Sequence, residues 1–183
     1  SSLEAQITAM PPGAERTDRR GAAGRYTANG RPDGVAEAGD RSHLDDLVLS
    51  VRGAGPLACD WEWVGDDIDA LRAVIPWTSH ANELRALTGE PDGHILTRLW
   101  TVRECLSKIG RTRNGPLTID GVYEEGWVLL RAGSEQVVST VIDIGGDPAP
   151  GELGDTAARA AAIAVLIKIG GSMTATPPPR DES

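Results

Sequence analysis

The strongest periodic signal runs through Ile95, Leu99, Val102, Leu106 and Ile109, the spacing of one helical face, and Gly110 follows where that run ends. At about 100° per residue, Trp100, Glu104 and Lys108 fall on the opposite side of the same helix. "DDIDALRAVI" and "SHANELRALTG" predict two shorter helices, the second closed by Gly89. Elsewhere the period drops to two. "DLVLSVRGAGPLACDWEWVG" predicts two strands joined as a hairpin through a Gly-Pro turn. In the second strand, alternation puts Ala58, Asp60 and Glu62 on one face and Leu57, Cys59, Trp61 and Trp63 on the other. "PLTIDGVYEEGWVLLRAG" and "EQVVSTVIDIGG" predict three strands in an antiparallel meander, while "GDTAARAAAIAVLIKIGG" fits a last helix or, in its Ile/Val-rich half, a last strand.

These elements predict an α+β fold: an antiparallel sheet, built from consecutive hairpins, packed against one long central helix. Composition divides the chain around them. Residues 1–35 are rich in Gly, Pro and Arg without a sustained apolar period and read as a poorly ordered segment or linker. Residues 36–170 form the dense domain, and residues 171–183, "GSMTATPPPRDES", read as a disordered tail. A chain that opens on Ser1 rather than Met reads as processed or cut from a longer one.

Charge narrows the partners. A formal net charge of −9 argues against a nucleic acid or an anionic membrane as the main partner, and any anionic ligand needs a metal ion or dedicated basic residues. No apolar run reaches the length of a membrane span. The two cysteines, Cys59 and Cys105, are too few for a disulfide framework or a cysteine metal cluster, so they read as reduced thiols of a cytoplasmic protein.

Against that background three clusters carry candidate chemistry. Asp60 and Glu62 on one strand face repel unless solvated or neutralised, and with Glu104 they make the hard-oxygen donor set that suits Mg²⁺. The plainer reading is a solvated helix face with a Glu104–Lys108 pair at i,i+4, and a surface Asp-x-Glu. "RSH" at Arg41–His43, just before the first strand, offers Ser42 and His43 as phosphate contacts, or an incidental loop histidine. "NGRP" sets Arg31 in a turn as a further phosphate partner.

Read in order, "GRP", "SH", "CDWE" and "LWTVRECLSK" resemble the motif series of the 4′-phosphopantetheinyl transferases, in particular the large surfactin-synthetase type. Trp100, Arg103, Glu104, Cys105 and Lys108 match that family's last motif, and the likeness spans about residues 29–140. The resemblance implies a phosphopantetheinyl transferase-like fold. It implies Mg²⁺ held by Asp60, Glu62 and Glu104. It implies coenzyme A as co-substrate, contacted by Arg31, Ser42, His43 and Lys108, and an acyl carrier protein as acceptor. In the implied reaction Glu104, or a metal-bound water it orients, is the base and Lys108 assists at the phosphate. Large-type members have two similar halves, and too little chain precedes Ser42 for a first half. The resemblance therefore points to the C-terminal part of a polyketide synthase's integrated transferase, or to an oligomer that completes the cleft. The alternative is a non-catalytic docking or scaffold module of a megasynthase that retains the fold.

Overall fold

The computed structural model describes residues 4–9, 37–45, 47–54, 57–65, 67–111, 115–145 and 159–167. In chain order they form strands β1 (Glu4–Ala9), β2 (Glu37–Leu44), β3 (Leu47–Ala54) and β4 (Ala58–Trp63), then helices α1 (Ile68–Val74), α2 (Thr78–Thr88) and α3 (Asp92–Lys108). Strands β5 (Thr118–Val122), β6 (Val128–Ala132), β7 (Glu135–Ile144) and β8 (Arg159–Ile167) follow. The class is α+β with antiparallel pairing throughout: a five-stranded sheet in the order β4-β8-β7-β6-β5 and a three-stranded sheet in the order β1-β3-β2.

The five-stranded sheet has a layer on each face. On one, Ala58, Ala164, Leu166, Val128, Leu130 and Val137 pack with Ile95, Leu99, Val102, Cys105 and Leu106 of α3 and with Trp77 and Leu84 around α2. On the other, Cys59, Trp61, Ala161, Ile163 and Val165 meet Leu44, Leu49 and Val51 of the smaller sheet. Strand β8 is thus covered on both sides, which is why its sequence is an unbroken small-apolar run rather than an alternation. Alanine's helix preference gives way to that double burial, resolving the ambiguity of the last element in favour of a strand.

The helices close as the sequence predicts. Gly89 takes φ 70° after α2 and Gly110 takes φ 76° after α3, a region that costs glycine nothing. Asp92 opens α3 and receives the guanidinium groups of both Arg72 from α1 and Arg85 from α2, so one carboxylate ties three helices together. The meander is present as β5-β6-β7.

Three expectations change. Strands β3 and β4 do not form a hairpin: β3 is the centre of the smaller sheet, with β1 and β2 on its two edges, so β4 pairs with β8 instead. The segment holding Ser42 and His43 does not precede the first strand but lies inside β2, paired residue by residue with β3. Within the segment 1–35 expected to lack order, Glu4–Ala9 is a strand paired with Leu47–Arg52. The tail 171–183 and Arg31 lie outside the described residues.

Candidate active site

Helix α3 buries a wider arc than its apolar stripe. Besides Ile95, Leu99, Val102 and Leu106, the polar or small Thr97, Arg98, Thr101 and Cys105 are also buried. That arc turns toward β4: the Gly65 N–H donates to Thr97 Oγ1 at 3.2 Å, and the Cys105 thiol donates to the Ala164 carbonyl. Glu104 and Lys108 therefore sit at the rim of a buried face, half-buried, rather than out in solvent. Trp100 beside them packs against the core and carries the Arg103 guanidinium 4.9 Å above its ring.

The free edge of β4 is where these groups converge. As the outer strand of its sheet, β4 has backbone groups with no strand to pair them. The Cys59 N–H donates to Asp40 Oδ2 at 2.7 Å, and the Lys108 ammonium donates to the Cys59 carbonyl. The same ammonium lies 3.1 Å from Asp60 Oδ1 and 3.9 Å from Asp40 Oδ2. Ser42 completes the group, its hydroxyl donating to Asp60 Oδ1 at 3.2 Å. Alternation along β2 turns Asp40 and Ser42 together toward β4, and it puts His43 on the other face, away from this cluster.

Asp40 is the member that the motifs do not mark. It is 8% exposed and lies two residues before Ser42, so it shares that residue's face once the segment is known to be a strand. The signal was present in "DRSH" but invisible while the segment was taken as a loop.

The charges do not balance. Asp40 and Asp60 share one ammonium, and the Glu104 charge also acts on Asp60. Burial pushes the Asp60 carboxyl up to about 6, with the Glu104 charge adding to it and Lys108 and Ser42 pulling the other way. For Lys108, burial alone would lower the pKa, but Asp60 and Asp40 outweigh it and the net direction is up. Both partners of one ion pair thus move upward, Asp60 through burial and Lys108 through the two carboxylates beside it, so the cluster holds its protons. Burial, followed by the Asp40 charge, raises the Cys59 thiol, and burial raises Cys105, so both stay protonated and inert.

A cation fits that imbalance. Asp60 and Glu104 carry hard oxygens on a strand and a helix, and a divalent ion at Asp60 would favour the carboxylate that burial, with the Glu104 charge, disfavours. Glu62 is on the same face of β4 but stands in another neighbourhood. Its Oε1 accepts the Trp63 N–H at 3.3 Å, and burial, with the Asp45 charge, raises its pKa. Among the described residues no three His, Cys, Asp or Glu side chains form a group that could hold a metal ion. Of the expected carboxylate trio, Asp60 feels the charge of Glu104 and Glu62 that of Asp45.

The Asp60 shift has a measurable sign. A carboxyl whose pKa is higher in the folded chain than in the unfolded one binds more protons when folded, so stability falls as pH rises through the gap. In metal-free protein the melting midpoint is expected to decline between the ordinary aspartate range and about pH 6 and then to flatten. The full drop is roughly 3 kcal/mol at 1.36 kcal/mol per pKa unit. Lys108, being raised, keeps its contribution until the alkaline range. Asp60→Asn should remove the slope, and denaturant titrations at pH 4.5 and 7.5 check it; an unchanged slope in Asp60→Asn would refute the assignment.

No helix among the described residues is long and apolar enough to cross a membrane. No protein-family model matches the chain, and no curated protein matches it.

Proposed function

We propose that this chain is a phosphopantetheinyl transferase-like domain that moves the 4′-phosphopantetheine arm from coenzyme A to a serine of an acyl carrier protein, with Mg²⁺ as cofactor. The observation that carries the reading is the 3.1 Å contact between Lys108 Nζ and Asp60 Oδ1, from a helix and a strand far apart in sequence, where the Glu104 charge also reaches Asp60. These are the residues that the motif resemblance singles out. The two-layered sheet with α3 across it is a scaffold compatible with that family's fold.

Displacement at a pyrophosphate requires charge neutralisation and an aligned nucleophile. Asp60 and Glu104 would hold the cation, whose chemistry is to neutralise the diphosphate oxygens. Lys108 offers a fixed positive charge to the phosphate, and Ser42 a hydroxyl beside it. Glu104, at the rim and half-buried, accepts the proton of the carrier serine as its oxygen forms the new bond to the β-phosphorus. The bond from that phosphorus to the bridging oxygen breaks, and adenosine 3′,5′-bisphosphate leaves. Arg31 and His43 are the further coenzyme A contacts that the resemblance implies, and Glu62 the third metal donor.

The test is incubation with apo carrier protein, coenzyme A and Mg²⁺, followed by intact mass measurement of the carrier. A phosphopantetheine adduct that vanishes on chelation supports the reading; an unmodified carrier rejects it for this chain alone. One observation favours a second reading. The Lys108 ammonium is already taken up by Asp60, Asp40 and the Cys59 carbonyl, which seals the edge of β4 and would serve a non-catalytic docking module of a megasynthase equally well. Calorimetry separates the two, since a docking module binds carrier protein and ignores coenzyme A.

A further inference from the structure

We infer that a cavity between the three helices, with Arg72 and Arg85 in its wall, binds a small aliphatic carboxylate. The cavity has a volume of about 210 Å³, room for about seven waters at about 30 Å³ each. It is separate from the chemistry proposed above: Leu96 lines it near the start of α3, and about 18 Å of helix lies between Leu96 and Lys108. Ile75, Ala81 and Leu96 give it a buried apolar floor, and Arg72, Asn82 and Arg85 give it a polar wall.

That wall carries more positive charge than it neutralises. Asp92 is the shared counter-ion: Arg72 Nη2 donates to its Oδ2, and Arg85 donates to its Oδ1 through Nε at 2.8 Å and through Nη2. One bidentate guanidinium is enough for one carboxylate, so two leave a positive charge over. Asp69, almost fully exposed and 4.0 Å from Arg72 Nη1, offsets little of it. The excess shows at Asp92, whose carboxyl the Arg85 hydrogen bond, followed by the Arg85 and Arg72 charges, holds below the ordinary aspartate range. Arg85 Nη1 donates to Asn82 Oδ1 at 3.0 Å, which fixes that guanidinium against the cavity, while Arg72 keeps N–H donors that no protein group takes. A positive excess beside an apolar floor selects a ligand with both characters. Inorganic phosphate would leave the floor unused, and a neutral molecule the arginines. A carboxylate on a chain of about four to six carbons matches both, and the cavity holds about that many heavy atoms. The plainer role of the arginines, tying three helices through Asp92, predicts no ligand.

Titration of the full chain with isovalerate, followed in ¹H–¹⁵N correlation spectra, distinguishes these roles. Saturable shifts are expected in α1, α2 and the start of α3, with a dissociation constant on the order of 1 mM for so small a ligand. The neutral isostere isovaleramide should bind at least about tenfold more weakly, because its contact with the arginines is no longer charge-assisted on both sides. Arg72→Gln leaves Asp92 paired with Arg85, so the helices stay tied, and it should weaken isovalerate roughly 10- to 100-fold. N-acetylleucine presents the same groups as a protein's C-terminal leucine. Binding tighter than that of isovalerate would identify a chain end as the source of the carboxylate, and weaker binding a free acid. Equal binding of acid and amide, phosphate bound more tightly than isovalerate, or no saturation by about 50 mM would overturn the inference. So would a folded Arg72→Gln protein that binds isovalerate as its parent does. If that variant does not fold, the comparison of acid and amide on the parent protein still decides. Neither coenzyme A nor carrier protein enters the experiment, so its outcome and that of the transferase reading are independent.

Discussion

Glu104→Gln is expected to lower the rate of phosphopantetheine transfer by roughly 10²- to 10⁴-fold, the range supplied by a positioned general base, while leaving the fold intact. Glutamine keeps the shape and one acceptor oxygen but can neither take the serine proton nor bring a charge to the cation. Stability should hold or rise, because Glu104 sits at the rim of α3, outside the buried arc, and its charge opposes ionisation of Asp60. Single-turnover transfer to the carrier, read by intact mass, gives the rate, and a thermal melt gives the control. Chelation should abolish transfer in the parent and add nothing further in the variant if both act on one centre. A variant with near-parental turnover would reject the mechanism, and a variant that unfolds would show that Glu104 belongs to the scaffold.

How far the sequence carried this picture depends on which force shapes each element. Helix α3 was legible because its apolar period and its terminal glycine are local signals, as were α2 and the β5-β6-β7 meander. Strand β2, "EAGDRSHL", was not, since it has Gly, Asp, Arg and Ser where a strand pattern would show Val or Ile; it is held in register by β3 rather than by its own propensity. The partner of β4 was equally hidden. Its hydrogen bonds run to β8, near the other end of the domain, and nothing in a Gly-Pro turn tells a hairpin from a crossover between sheets. The site follows the same division. Alternation put Asp60 on the helix-facing side of β4, and helical spacing brought Glu104 and Lys108 to one rim. Asp40 went unseen, and His43 was grouped with Ser42, because both judgements needed β2 to be known as a strand.

Glu90→Ala is expected to destabilise the fold by about 3–5 kcal/mol, the cost of stripping one partner from a buried ion pair, although Glu90 lies on the opposite end of α3 from the proposed chemistry. Arg98 is fully buried in α3, and its Nη2 donates to Glu90 Oε1 and, at 3.2 Å, to the Gly126 carbonyl in the turn before β6. Its Nε and Nη1 have no hydrogen-bond partner among the described residues, so Glu90 is the main compensation for a charge withdrawn from water. Burial already lowers the Arg98 pKa, with the Glu90 charge and hydrogen bond opposing that, and removing Glu90 leaves the penalty unopposed. At roughly 2–4 °C per kcal/mol for a chain of this size, the melting midpoint should fall by about 10 °C. The double variant Glu90→Leu with Arg98→Met should recover most of the loss, because an apolar pair of similar bulk carries no desolvation cost. Denaturant titration of Glu90→Leu, Arg98→Met and the double gives the coupling directly. A Glu90→Ala protein within 1 kcal/mol of its parent would mean that Arg98 finds another partner and that the clasp between α3 and the β5-β6 turn does not set the helix. If the clasp does set it, the double variant should regain stability but not the full transfer rate, since α3 then loses its polar tie to the β5-β6 turn and keeps only its contacts near β4 to hold Glu104 and Lys108 in register.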